Sequence, residues 1–310
     1  MVARTKTRQA KKKKAPPKNQ PVTVGGISVA PGEDAIVDLP VADLYTHTQL
    51  TLPVHVINGK HPGPTLFLTA AIHGDELNGV DIIRRVLRHR DIKRLRGQLL
   101  AVPIVNVYGF VNRSRYLPDR RDLNRSFPGR KKGSVAARLA HLVTSEIISQ
   151  ADFGIDLHTG AIDRPNLPQI RANLDNPKVL EIAEAFETPV IIDANIVAGS
   201  LREYAEANGI PLVVYEAGEA LRFDELSIKA GTRGVLRVMR MLGMLPPSDG
   251  KRTKIQSLIS RGTSWTRAPA SGIVHAKCRL GQRVSEGQSL ASIADPFGQN
   301  QTEVEATAAG

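Results

Sequence analysis

Two histidines, two glutamates and a cluster of arginines carry most of the chemistry this sequence offers. His73 and Glu76 stand in "IHGDELNG", directly after the apolar run "PTLFLTAA", and form the only His-x-x-Glu of the chain. His158 lies in "DLHTG" and Glu216 in "VVYEAGE", each again where an apolar run ends. A strand needs only Gly, Asn or Asp to turn, so ionisable groups at three such ends call for another reason. Two imidazoles and one carboxylate form the ligand set of a catalytic zinc, which keeps a fourth position for water. A further carboxylate, Glu216, is then free to act as base. Each residue alone has a plainer reading: a surface or capping histidine, and for Glu216 an N-cap partner or salt-bridge member.

Between the histidines, "VNVYGFVNRSRYLPDRRDLNRSFPG" at 105–129 holds Arg113, Arg115, Arg120, Arg121 and Arg125 with Asn112 and Asn124. It reads as too rich in Pro, Gly and Asn for a helix, hence as a long basic loop, which is usually solvent-facing or functional. Guanidinium groups grip carboxylates through a bidentate fork, so the natural partner is a small anionic substrate.

Sites so far apart in sequence need a scaffold that gathers strand ends. The stretch from Pro21 to Gly74 reads as short strands punctuated by Gly and Pro, and "PTLFLTAAI" as a strand buried on both faces. Val80, Ile83, Val86 and Leu87 follow at helical spacing, before the strand "GQLLAVPIVN". Helix and strand then alternate through "SVAARLAHLVTSEIISQ" and "FGIDLHTG", "NPKVLEIAEAFE" and "PVIIDAN", "SLREYAEANG" and "IPLVVYEAGE". The fold class is α/β, in which ligands collect outside the carboxyl ends of the strands. The organisation expected is a disordered basic tail at 1–20, a β extension at 21–50, a catalytic domain at 51–246, a linker at 247–263 and a C-terminal β-domain at 264–310.

Composition narrows the class. The 310 residues, 41% of them hydrophobic, can bury a full core. No run of about 18 apolar residues is available for a membrane span, and no apolar segment follows the basic start as a secretory signal requires, so the cytoplasm is the expected location. One cysteine, Cys278, excludes an internal disulfide and leaves any metal to His and carboxylate ligands. Residues 1–20 hold eight Lys or Arg and no acid, against a formal +12 for the chain, so the body is close to balanced. Such an arm is either a solvated tail or a weak, salt-dependent polyanion binder. Nothing in the composition argues against a homo-oligomer.

The motifs together resemble the succinylglutamate desuccinylase and aspartoacylase family, a branch related to zinc carboxypeptidases. The resemblance rests on "HGDE" at 73–76, "RYLPDRRDLNRSFPG" at 115–129, "DLHTG" at 156–160 and "EAGE" at 216–219, and extends over roughly residues 50–245. It implies a central mixed sheet flanked by helices and one zinc held by His73, Glu76 and His158. By the same resemblance Arg115 polarises the scissile carbonyl, Asn124 and Arg125 hold the substrate's free carboxylate, and Asp122 steadies a zinc histidine. Asp156, on the same strand face as His158, is an alternative supporter of that ring or a local turn acid. Arg202 in "GSLREY" is either a substrate-site residue or a helix-surface salt-bridge partner.

Departures from the family pattern also inform. Peptide-cleaving zinc carboxypeptidases place an arginine just before the glutamate, whereas this chain has Gly74-Asp75, which favours the deacylase branch. Some relatives add a tyrosine from the C-terminal domain, yet no tyrosine follows Tyr215. The C-terminal "RAPASGIVHAKCRLGQRVSEGQSLASIADPFG" resembles half of a biotinyl or lipoyl-like β-sandwich without the carrier lysine's hairpin. "EVEATAAG" at 303–310 echoes "RAPASG", so the domain reads either as incomplete or as closed in another way. The activity expected is zinc-dependent hydrolysis of a small N-acyl amino acid or similar carboxylate-bearing amide. The rivals are a metallocarboxypeptidase acting on short peptides and a non-catalytic polyanion-binding protein using the basic arm.

Overall fold

The computed structural model describes residues 19–248 and 255–310; most of the basic tail and part of the segment read as linker lie outside the described residues. The chain opens with the hairpin β1 (Val22–Val24) and β2 (Ile27–Val29), then β3 (Asp34–Asp43), β4 (Gln49–Asn58) and β5 (His61–Ala70). Next come α1 (Asn78–Leu87), β6 (Arg96–Val102), α2 (Val107–Asn112), α3 (Val135–Glu146), β7 (Phe153–Gly160) and β8 (Asn166–Ala172). Then follow α4 (Pro177–Phe186), β9 (Val190–Asp193), α5 (Leu201–Ala207), β10 (Leu212–Glu219) and α6 (Glu225–Met241). The last strands are β11 (Leu258–Ser260), β12 (Ile273–Ala276), β13 (Ser289–Ala294) and β14 (Thr302–Glu305).

Nine strands form one mixed sheet in the order β11-β9-β8-β10-β7-β5-β6-β4-β3. At its centre β6, β5, β7 and β10 run parallel, while β8 joins β10 and β4 joins β6 antiparallel. The central strands read as continuous apolar runs because both faces are covered. On one face Ile82, Ile83, Val235 and Phe186 from α1, α6 and α4 close a core, with Phe186 stacked on Tyr215 at 5.0 Å between ring centroids. On the other, Leu139 and Val143 of α3 and Leu201 of α5 pack with Phe67, Leu100 and the β1–β2 hairpin. The chain leaves β5 toward β6 on one side and comes back to β7 on the other. That order makes the carboxyl ends of β5 and β7 a topological switch point, where a crevice opens. Among the described residues no helix is long and apolar enough to cross a membrane.

Three features differ from the sequence expectation. The segment 105–129 is not wholly loop: Val107–Asn112 is helical because Asn106 caps it, its side chain accepting from the Gly109 N–H at 2.8 Å, and Leu123–Arg125 forms a 3-10 turn. Strand β8 lies in a stretch that had suggested no element. Within the segment read as linker, β11 pairs parallel with β9 at the sheet's edge. The C-terminal portion contains a three-stranded antiparallel sheet, β12-β13-β14.

Candidate active site

The carboxyl ends of β5, β7 and β10 meet in an open cleft of about 610 Å³, lined among others by His73, Glu76, His158, Arg115, Asn124, Arg125, Arg202 and Glu216. The turn after β5 is tight for a local reason. A Cβ on Gly74 would lie 2.0 Å from the Gly109 backbone, so only glycine lets "HGDE" press against α2. Two residues past Glu76, Asn78 ties the turn to β10: its Nδ2 donates to Ala217 O at 3.0 Å, and its Oδ1 accepts from Asp224 N at 2.9 Å. The register of β7 and β10 sets His158 beside Glu216. Four residues from three distant segments are thereby brought to one place.

His73, Glu76 and His158 form a buried cluster whose ligand atoms all lie within 4.8 Å of one another. His73 Nδ1 is 2.7 Å from Glu76 Oε1, and His158 Nδ1 is 2.8 Å from Glu76 Oε2. The opposite ring nitrogens are also committed: His73 Nε2 lies 3.2 Å from Asp122 Oδ1 and His158 Nε2 lies 2.7 Å from Asp156 Oδ2. An ionised carboxylate only accepts, so each Nε2 carries a proton and both Nδ1 atoms face the centre. A carboxylate behind each imidazole is the support that metal-ligating histidines ordinarily have. Asp156 is itself fixed by Thr69, whose hydroxyl donates to Oδ1 at 2.7 Å. Between the two alternatives left open by sequence, Asp156 stands behind His158 and Asp122 behind His73.

The electrostatics agree with that use. Burial would lower the His158 pKa, but Asp156 and Glu76 together raise it well above its ordinary value. His73 follows the same pattern: burial lowers it, and Glu76 and Asp122 more than compensate. Glu76 is held well below the carboxylate range although burial opposes this, because both imidazoles face it. Asp122 is likewise held low against its burial, by His73 and Arg115. Both Nδ1 atoms and the Glu76 carboxylate converge on one point, with a carboxylate behind each ring, so the donor set and its surroundings fit one divalent cation. Neighbouring Asp75 is buried, with Oδ1 unpartnered among the described residues, and burial followed by Glu76 pushes its carboxyl up.

The arginines divide by partner. Arg115 joins the cluster through Nη2 to Asp122 Oδ2 at 2.9 Å and Nη1 to Glu76 Oε1 at 3.4 Å. Asn124 Oδ1 accepts from the Leu201 N–H at 2.9 Å, which anchors the arginine-rich segment to the start of α5. Arg125 donates to the Asn124 carbonyl and lines the cleft. Arg202 also lines it; its guanidinium donates to the carbonyls of Ala194 and Asn195, with no ion pair among the described residues. Burial, and then the charge of Arg171, lower its pKa.

One wall of the cleft was missed by sequence reasoning. Strand β8 supplies Asn166, Gln169 and Arg171, and the C-terminal segment supplies Trp265, whose ring centroid lies 6.0 Å from the Arg164 guanidinium carbon. The alternation of "LPQIRA", with Pro168, Ile170 and Ala172 buried and Gln169 and Arg171 half-buried, is the signal that could have revealed the strand.

The chain belongs to the family described as the succinylglutamate desuccinylase/aspartoacylase catalytic domain, whose model matches residues 62–242. Among its relatives is the N-alpha-acetyl-L-2,4-diaminobutyric acid deacetylase of Halomonas elongata, 27% identical over 274 residues, covering 85% of this chain and 80% of that protein. The product-bound ectoine utilization protein EutE (DoeB) from Ruegeria pomeroyi is 26% identical with a TM-score of 0.79, over 90% of this chain and 88% of that one. A succinylglutamate desuccinylase/aspartoacylase from Rhodobacter sphaeroides has the same fold at 24% identity, with a TM-score of 0.78 over 90% of this chain and 88% of that one.

Proposed function

We propose that this protein is a zinc-dependent deacylase that hydrolyses the amide bond of a small N-acyl amino acid or a similar carboxylate-bearing amide. The observation that carries the reading is the His73–Glu76–His158 cluster, with a carboxylate behind each imidazole, in a cleft lined by arginines. The deacetylase activity named for the Halomonas elongata relative supports the reaction class.

His73, Glu76 and His158 would hold the ion. When bound, zinc supplies Lewis acidity, which acidifies water and polarises a carbonyl oxygen. Glu216 takes a proton from the attacking water and returns it to the amide nitrogen as the C–N bond breaks, releasing a carboxylic acid and an amine. Arg115 supplies positive charge where the tetrahedral intermediate develops its oxyanion. Asn124 and Arg125 receive the free carboxylate of the substrate, whose two oxygens match a guanidinium fork. Arg202, which lines the same cleft, is a further substrate-binding residue in this reading.

A panel of N-acyl amino acids, assayed for freed amine with purified protein, tests this reading. Turnover of at least one member should vanish on prolonged chelation and return with added zinc. Hydrolysis that continues unchanged in the chelated protein would reject the metal, and dipeptides cleaved in preference to N-acyl amino acids would reject the substrate class.

A further inference from the structure

We propose that Asn166 and Gln169 are positioning residues for Glu216, their two side-chain amides gripping one carboxylate oxygen so that the other is presented to the cleft. This deepens the reading of Glu216 as the proton-transferring base and rests on it. Asn166 Nδ2 donates to Glu216 Oε2 at 3.0 Å, and Gln169 Nε2 donates to the same atom at 3.4 Å. With two donors the acceptor sites of Oε2 are filled. Oε1 accepts no hydrogen bond among the described residues; Arg171 Nε lies 3.9 Å from it.

The backbone is arranged to make this contact. Residues three apart on a regular strand face opposite sides of the sheet, so Asn166 and Gln169 should not reach one carboxylate. They do because the β8–β10 register slips: Glu216 stands opposite Gln169, but Gly218, two residues on, stands opposite Asn166, three residues back. The additional residue on β8 is a bulge, a device that re-aims side chains beside sites of function. Pro168 lies inside it, where a missing N–H is tolerated. Gly218 has φ +70°, a left-handed conformation that glycine adopts without steric cost, and a Cβ there would lie 2.6 Å from Asn78 Nδ2. The amides hold the base as neutral donors and add no charge of their own to that of Arg171, which stands 3.9 Å away.

The test is a set of kcat and KM values for the full-length zinc-loaded protein, with the N-acyl amino acid the panel turns over fastest. Asn166→Ala should lower kcat about tenfold, and the Asn166→Ala/Gln169→Ala pair on the order of a hundred-fold, a usual consequence of misplacing a reacting group by about an ångström. KM should stay within about twofold. In a Glu216→Ala background the same substitutions should leave the residual rate unchanged, since no carboxylate remains to orient. Unchanged kcat in the amide variants, alongside a large loss in Glu216→Ala, would overturn the positioning role while the base stands. Equal losses in both backgrounds, or losses confined to KM, would also overturn it. Full activity in Glu216→Ala would overturn the base reading itself. Should Asn166→Ala fail to fold, Asn166→Asp keeps the shape without the donor and is expected to lose at least as much kcat.

Discussion

On one wall of the cleft the side chains of His73, Glu76 and His158 are at most 5% exposed, and each imidazole nitrogen meets a carboxylate. Beside it, on the neighbouring strand, the Glu216 side chain is 22% exposed and is held by two neutral amides, with one guanidinium beyond hydrogen-bonding distance. The first wall is a closed network of opposite charges, in which any one loss leaves a buried group without its partner. The second leaves one carboxylate oxygen without a hydrogen bond, on a side chain partly open to solvent. A group that must bind an ion benefits from the first arrangement, and a group that must pick up and release a proton benefits from the second.

The sharpest way to break this contrast is to remove the carboxylate shared by both imidazoles. Glu76→Ala is expected to abolish hydrolysis and stoichiometric zinc together, read by metal analysis on the same preparation as the assay. Retained zinc in that variant would show that the buried wall is not the metal site. Glu216→Gln should behave in the opposite way, keeping its zinc while losing about a hundred-fold or more in kcat; a variant that turns over normally removes Glu216 from the chemistry. A smaller effect is expected one layer out, where Asp156→Asn should weaken zinc binding by about 10- to 100-fold in a competition titration with a chelating dye. Equal affinity in that variant would reduce Asp156 to a local structural acid.

Acidity provides the mildest test. The pKa values of His158 and His73 are raised, and an ion must displace their Nδ1 protons. Zinc affinity should therefore be flat above the raised pKa values and fall as pH drops through them, by up to roughly tenfold per pH unit for each proton displaced. Calorimetry in buffers of different ionisation enthalpy should register proton release on binding. No release at any pH below neutrality would contradict the raised pKa values.

The same contrast explains what could be read from the sequence. His73, Glu76, His158 and Glu216 were legible because each is an ionisable residue at the end of an apolar run, and the α/β alternation placed those ends together. Asp156 was half legible: two-residue parity puts it on the face of His158, but only the folded structure shows its Oδ2 at Nε2 rather than in a turn. Asn166 and Gln169 were invisible for a physical reason. Their joint approach to Glu216 depends on a register slip between two strands far apart in sequence, and spacing within one strand predicts opposite faces for them. The helix Val107–Asn112 was hidden by composition, because a single capping asparagine outweighed a Gly-containing, Asn-ended stretch. The strand β11, three residues long, is too short for periodicity to register.

Trp265 is the only tryptophan of the chain, and it lies at the cleft beside Arg164. The protein thus has a built-in fluorophore at the site itself, with no second indole to dilute its emission. Occupancy by product or inhibitor can be followed by light alone, on unlabelled protein and without waiting for turnover.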